Sequence, residues 1–213
     1  MRAAALVAGI VLAAHVGSGC GDDEGRDLGT AGAPPLPTGT APAPAGGGPG
    51  EQSETALPSE WTRVGPPGGF SVGVPPEWTA DSFGERDERG VRMIAASRMP
   101  GAPPTAVVSV TEQPIPDGTP LDVFFEIAER TRASIGPRPY KPLSNVVHVD
   151  VDGHRGIAGE ITVRLRGRTA RQAQVVLVTR NRGIVATVAA APGDYESALA
   201  TFRQILDTAD LPV

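Results

Sequence analysis

From Val146 to Ala191 the chain alternates runs of β-branched and apolar residues with short glycine-bearing turns, a pattern that predicts four consecutive antiparallel strands. The breaks fall at Asp152-Gly153, Arg166-Gly167-Arg168 and Asn181-Arg182-Gly183, each with a glycine where a tight turn needs positive φ. For the first hairpin, a three-residue turn gathers Val147 and Val149 on one face with Ile157, Ile161, Val163 and Leu165. A two-residue turn would mix the valines with Ala158 and Glu160 instead. The cleaner sorting favours the three-residue register. Val175 to Val178 and Ile184 to Ala189 are apolar without clean alternation, which predicts central strands covered on both faces.

Upstream, Gly69 to Pro75 alternates apolar and small residues and reads as a strand ended by Pro75-Pro76-Glu77-Trp78, with Trp78 expected as a core anchor. Val91 to Ser97 and Thr105 to Glu112 read as two more strands, preceded and separated by charged and proline-rich loops. Thr119-Pro120-Leu121-Asp122 predicts a helix start, with Thr119 as N-cap and Asp122 completing a capping box. That helix runs to about Ile135 with an apolar stripe of Leu121, Phe124, Phe125, Ala128 and Ile135. The stripe leaves Glu126, Glu129, Arg130 and Arg132 in water, and Gly136-Pro137 stops the helix. A second helix, Tyr195 to Thr208 with Asp194 as cap, carries Ala198, Leu199, Phe202, Ile205 and Leu206 on one stripe. The predicted class is α+β: an antiparallel sheet of about six to seven strands, ending in a four-strand meander and covered by two or more helices.

Candidate chemistry is sparse. In the three-residue register His148, Asp150, His154 and Glu160 share one face of the first hairpin, the nearest approach in the chain to a metal or acid–base cluster, although no dedicated ligand spacing accompanies them. On that cluster rests the alternative of an envelope metal-dependent hydrolase. A Ser109, His148, Asp150 trio exists on paper only. Arg164, Arg166, Arg168 and Arg171 crowd the second hairpin tip and form a candidate contact surface for an acidic partner or anionic headgroups. Gly153, Gly156 and Gly159 mark a strand where another backbone or side chain comes close.

Charge divides the chain. Six acids and two bases precede Pro58; of the 24 acids and 19 bases in all, 18 and 17 then remain for the rest, which is nearly neutral and has no general attraction for nucleic acid. Aromatic residues make up only 4% of the chain, which argues against the aromatic cage of a small-molecule or lipid carrier, a second alternative. No catalytic residue or cofactor is assigned. From Gly25 to about Leu57 the chain is glycine, proline, alanine and threonine with almost no large apolar residue, so it cannot bury a core. As a flexible coil this tether spans about 35 Å on average, and about 120 Å when fully extended.

At the start, Arg2 and the apolar run Ala3 to Ala14 are too short to span a membrane and read as an export signal. Val16-Gly17-Ser18-Gly19-Cys20 then resembles the bacterial lipoprotein signal, which implies cleavage before Cys20, the chain's only cysteine, and its acylation. The division expected is a signal peptide over residues 1–19, a tether over 20–57 and one domain over 58–213. Gly69-Phe70-Ser71-Val72-Gly73-Val74-Pro75 with Trp78 resembles the opening of PsbP-like domains, and in this context most of all the LpqN group of actinobacterial lipoproteins. The order of strands, helix, meander and terminal helix over about Trp61 to Leu211 also fits that family. The resemblance implies a PsbP-like α/β/α sandwich with an accessory or binding role. The membrane would be a partner through acylated Cys20, an envelope protein would be a partner of the domain, and the location would be extracytoplasmic.

Overall fold

The structure is a computed structural model that describes residues 57–65, 69–82, 91–97, 105–135, 140–165 and 168–211; side chains at 81–82, 91–97, 135 and 165 are left out. The signal peptide, Cys20 and almost all of the tether, together with Arg166, lie outside the described residues.

Eleven elements follow in chain order: β1 (Thr62–Val64), β2 (Val72–Val74), β3 (Trp78–Ser82), β4 (Val91–Ser97), β5 (Ala106–Pro114), α1 (Leu121–Ile135), β6 (Ser144–Val151), β7 (His154–Leu165), β8 (Arg168–Val178), β9 (Arg182–Ala190) and α2 (Tyr195–Asp207). Seven strands make one antiparallel sheet in the order β3-β4-β5-β9-β8-β7-β6, and β1 and β2 form a separate ribbon. The class is α+β, and β8 and β9 are interior strands, flanked on both sides.

Two faces follow from the registers, because residues paired across an antiparallel ladder point the same way. On one face Ala106, Val108 and Val110 of β5 stand opposite Ala190, Val188 and Ala186 of β9, and these continue into Ala173, Val175 and Leu177 of β8 and Ala158 of β7. These side chains join the main core with Phe70, Val72 and Val74 and with the α2 stripe Ala198, Leu199, Phe202, Ile205 and Leu206. Trp78 is half-buried and packs against the edge of that core, and it opens β3 rather than closing the preceding strand. The β1–β2 ribbon is tied to the end of α2 by a Ser71–Asp210 bridge and by the Gly73 amide, which donates to Thr208 Oγ1 at 2.7 Å in the interior.

The opposite face carries Ile157 and Ile161 of β7 and Val176 of β8, and α1 covers this part of the sheet. Phe124 of α1 is 1% exposed and lies where a Cβ on Gly183 would stand, so glycine at the start of β9 admits the ring. Beyond α1 the cover thins: Val185, Thr187 and Ala189 of β9 are only half-buried, so β9 is fully buried on its α2 side alone.

Three expectations need correction. The first hairpin turns on two residues, since Val151 pairs with His154 and Val149 with Gly156. Asp152 (φ 50) and Gly153 (φ 72) both occupy the left-handed region demanded by a two-residue turn of the type that matches strand twist. Val147 and Val149 therefore share their face with Ala158 and Glu160, while Ile157 and Ile161 face α1. Arg132, expected in water, is 8% exposed. Thr119 does not cap α1: its hydroxyl donates to the Pro116 carbonyl at 2.6 Å, and the first helical bond is Phe124 N–H to Pro120 O.

Candidate functional site

The two-residue turn dismantles the proposed metal face. His148 and Asp150 are opposite Ile157 and Arg155 on the α1 side, whereas His154 and Glu160 are on the α2 side with Val151, Val149 and Ala158. His148, Asp150, His154 and Glu160 therefore do not converge, and among the described residues no group of three potential ligands does. Three of the four have local work instead. Asp150 Oδ1 accepts the Gly153 amide at 3.0 Å, the His154 ring Nδ1 is 2.9 Å from the Asp152 carbonyl, and Glu160 is ion-paired to Arg171. Ser109 and His148 are on strands four positions apart, about 19 Å at the usual strand spacing, so no triad forms.

The arginines divide into an enclosed group and an exposed group. Arg171 leaves the tip altogether. Its guanidinium donates to Glu160 at 3.2 Å and to Glu196 at 2.7 Å, and lies 3.9 Å from the centre of the Tyr195 ring. Tyr195 is fully buried at the start of α2, and no group among the described residues comes within 3.5 Å in hydrogen-bonding geometry of its hydroxyl. Burial first, then the negative charge of Glu160, pushes this phenol above its ordinary range. The cluster bolts α2 to β7 and β8 where these strands leave the sheet.

A second clasp closes around Arg132. The guanidinium holds Glu129 through both carboxylate oxygens at 2.7 and 2.8 Å, donates to the Lys141 carbonyl at 2.9 Å, and faces the Tyr140 ring at 4.9 Å. Tyr140 donates its hydroxyl to Glu129 at 2.7 Å, and the Leu143 amide reaches the same carboxylate at 3.4 Å. Desolvation, then the bond to Glu129, raises the Tyr140 pKa. This clasp pins residues 140–143 against α1, and Leu143 then packs on Gly159, where a Cβ would meet its side chain at 2.9 Å. Neither clasp could be read in full from local spacing: Glu129 lies one turn before Arg132 on α1, but Tyr140 and Lys141 come from the segment after the helix, and the partners of Arg171 come from β7 and α2.

What remains open is the end of the β7–β8 hairpin. Pairing with β6 stops at Glu160, and pairing with β9 starts at Arg171, yet β7 and β8 go on pairing with each other from Ile161–Gln172 to Leu165–Arg168. Residues 161–165 and 168–170 thus form a two-stranded arm reaching about 16 Å past β6. Arg164 and Arg168 are exposed on it; Arg164 pairs with Thr169 and points to the α2 side, and Arg168 pairs with Leu165 and points to the α1 side. The sequence-predicted contact set is therefore split: Arg171 is internal, while Arg164 and Arg168 are presented in opposite directions.

No family model matches the chain, and no curated protein matches its sequence. Solved structures do. CyanoP, the cyanobacterial PsbP of Synechocystis sp. PCC 6803, superposes with a TM-score of 0.54 at 18% identity, over 80% of this chain and 99% of that one. LpqN of Mycobacterium tuberculosis, a protein involved in cell envelope biogenesis, superposes with a TM-score of 0.55 at 15% identity, over 72% of this chain and 91% of that one. The fold is PsbP-like. A Bacteroides thetaiotaomicron structure is also similar, with a TM-score of 0.49 at 12% identity over 71% of this chain; the chain spans about half of that protein, 48%, and the likeness is too distant to argue from. The PsbP-like fold resembling LpqN agrees with the resemblance read from Phe70 to Trp78.

Proposed function

We propose that this chain is an exported lipoprotein, acylated at Cys20, whose PsbP-like domain is a non-catalytic binding module held near a bacterial membrane by the tether over residues 20–57. The observation that carries this reading is the arm: two exposed arginines stand on a two-stranded ribbon beyond the sheet, while among the described residues the would-be catalytic groups do not converge. The likeness to LpqN, itself involved in cell envelope biogenesis, supports an envelope role, and the short apolar run before Cys20 supports the anchor. More than one acyl chain is what stable anchoring requires, so the anchor and the module have separate jobs. The partner is an envelope protein met outside the cytoplasm.

Two measurements test the reading. Cys20→Ala is expected to abolish incorporation of radiolabelled palmitate and to release the protein from the membrane fraction. Crosslinking in the native cells, followed by identification, is expected to give one protein partner for the wild type and to lose it when Arg164, Arg166 and Arg168 are changed together to Ser. A labelled, anchored protein with no specific crosslink in either form would sink the adaptor role.

A further inference from the structure

Every second residue of a strand turns its amide and carbonyl toward one neighbour, so a strand paired on one side only offers a row of unfilled donors and acceptors on the other. Among the described residues the outer side of β7 is in that state beyond Glu160. β6 ends its ladder there with a register shift between Ser144 and Val147, and Asn145 at φ 52 bends the chain at that irregularity. Just before it, the Arg132 clasp holds Lys141 and Leu143 toward α1 and so away from the edge of the arm. The arm edge carries Thr162 and Val163, residues suited to strand pairing, and the adjoining Arg164 is exposed.

Open edges in stable domains are usually blunted or covered. A lone exposed arginine blunts an edge; arginines on both faces of a ribbon also define what it will accept. Resting on the binding-module reading, we propose that the arm receives an extended acidic polypeptide segment of a partner, which adds as a strand along residues 161–165 of β7. Its alternating side chains place carboxylates on both faces of the ribbon, toward Arg164 on the α2 side and Arg168 on the α1 side. Guanidinium groups suit such contacts because they bind carboxylates through two parallel hydrogen bonds. A headgroup of an anionic lipid would match the charge but leave the backbone row unfilled, and for that reason the polypeptide is the occupant chosen.

The test uses the full acylated chain in discs of neutral phosphatidylcholine and three probes: a nonapeptide repeating Glu-Glu-Val-Val, which as a strand carries carboxylates on both faces, the same peptide N-methylated throughout, and vesicles of phosphatidylglycerol. The plain peptide is expected to bind and to slow amide exchange at residues 161–165. Losing the peptide's N–H donors, or changing Arg164 and Arg168 together to Glu, is expected to weaken binding by roughly tenfold or more. Both arginines are exposed, and an unchanged melting curve would show that the double variant still folds. Equal binding of the methylated peptide, or no protection of the edge, overturns strand addition. Binding of the vesicles alone, lost in R164E/R168E, also overturns it and makes the arm a lipid contact. A partner crosslinked in cells without peptide binding defeats this inference and leaves the binding-module reading standing; peptide binding with no crosslinked partner does the reverse.

Discussion

The same two strands lead two different lives. At the root of the β7–β8 hairpin, Gly156, Ala158, Val175 and Leu177 lie beneath α2, small residues against large, with Leu177 wholly buried. A few residues further on, Thr162, Arg164, Arg168 and Thr169 are exposed on a ribbon that no third strand among the described residues joins. The hydrogen-bond ladder is continuous from one region to the other, so secondary structure does not distinguish them. Cover does. The root is held by the sheet's two helices, and the arm by its own pairing alone, which separates a part that carries stability from a part free to carry recognition.

The strongest way to break that contrast is to remove apolar volume from each region. Leu177→Ala is expected to cost about 2–5 kcal/mol, because the side chain is fully enclosed and the cavity cannot collapse. Val163→Ala on the arm, where the residue is only half-buried, should cost under about 1 kcal/mol. Urea melts of the two variants measure both numbers. Comparable losses would mean that the arm belongs to the cooperative core, and its role as a separate docking element would fall.

The boundary between root and arm is the Glu160–Arg171–Tyr195 cluster, and it comes next in expected effect. Glu160→Gln leaves Arg171 with Glu196 as its remaining carboxylate and is expected to cost about 1–3 kcal/mol, less than breaking an isolated buried pair. Tyr195 gives the pH signature of the same cluster. Its folded pKa is raised above the unfolded value, so the stability it contributes is fully present below about pH 10 and is lost as pH rises through the alkaline range. Tyr195→Phe should be nearly neutral at pH 7, since it removes a buried hydroxyl that has no partner among the described residues, and should flatten the loss of melting temperature above pH 10. Tyr140→Phe is the comparison, because its pKa is also raised, by desolvation first and then by its bond to Glu129 at the other clasp. An alkaline slope unchanged in Tyr195→Phe would place the titrating group elsewhere.

The parts of this molecule that were legible in the sequence are those set by periodicity. The α2 stripe, the meander and the strand leading into Pro75 follow from local spacing, while the PsbP-like fold resembling LpqN was named by the resemblance of Phe70 to Trp78 and the order of elements. The register of β6 against β7 was not legible by sorting apolar residues, because both faces of β7 are covered. Ile157 and Ile161 serve α1, and Gly156 and Ala158 serve the α2 side, so neither face has to be polar. The turn itself held the better signal: Asp-Gly between two strands favours a two-residue connection whatever the flanking residues prefer. Arg132 and Arg171 were misplaced for another reason. A helical stripe leaves Arg132 in water and nearness to the turn puts Arg171 at the hairpin tip unless a partner is known, and Tyr140, Lys141, Tyr195 and Glu196 reach them only through the tertiary fold.

Arg130 supplies the smallest effect and the control for that last point. It lies two positions before Arg132, about 200° round the helix, and so faces outward, and its pair with Glu126, at 2.9 Å, leaves side chains that are 77% and 67% exposed. Water screens such a pair, and two long side chains must be ordered to make it, so Arg130→Ala should change stability by no more than about 0.5 kcal/mol. Arg132→Ala, two residues on, removes the group that holds Glu129, Tyr140 and the Lys141 carbonyl together and should exceed that several times over. Thermal melts of the two variants under one condition decide it. Equal shifts would show that burial of the guanidinium adds nothing, and the clasp would then no longer explain why the chain before β6 turns to α1 and leaves the edge of the arm open.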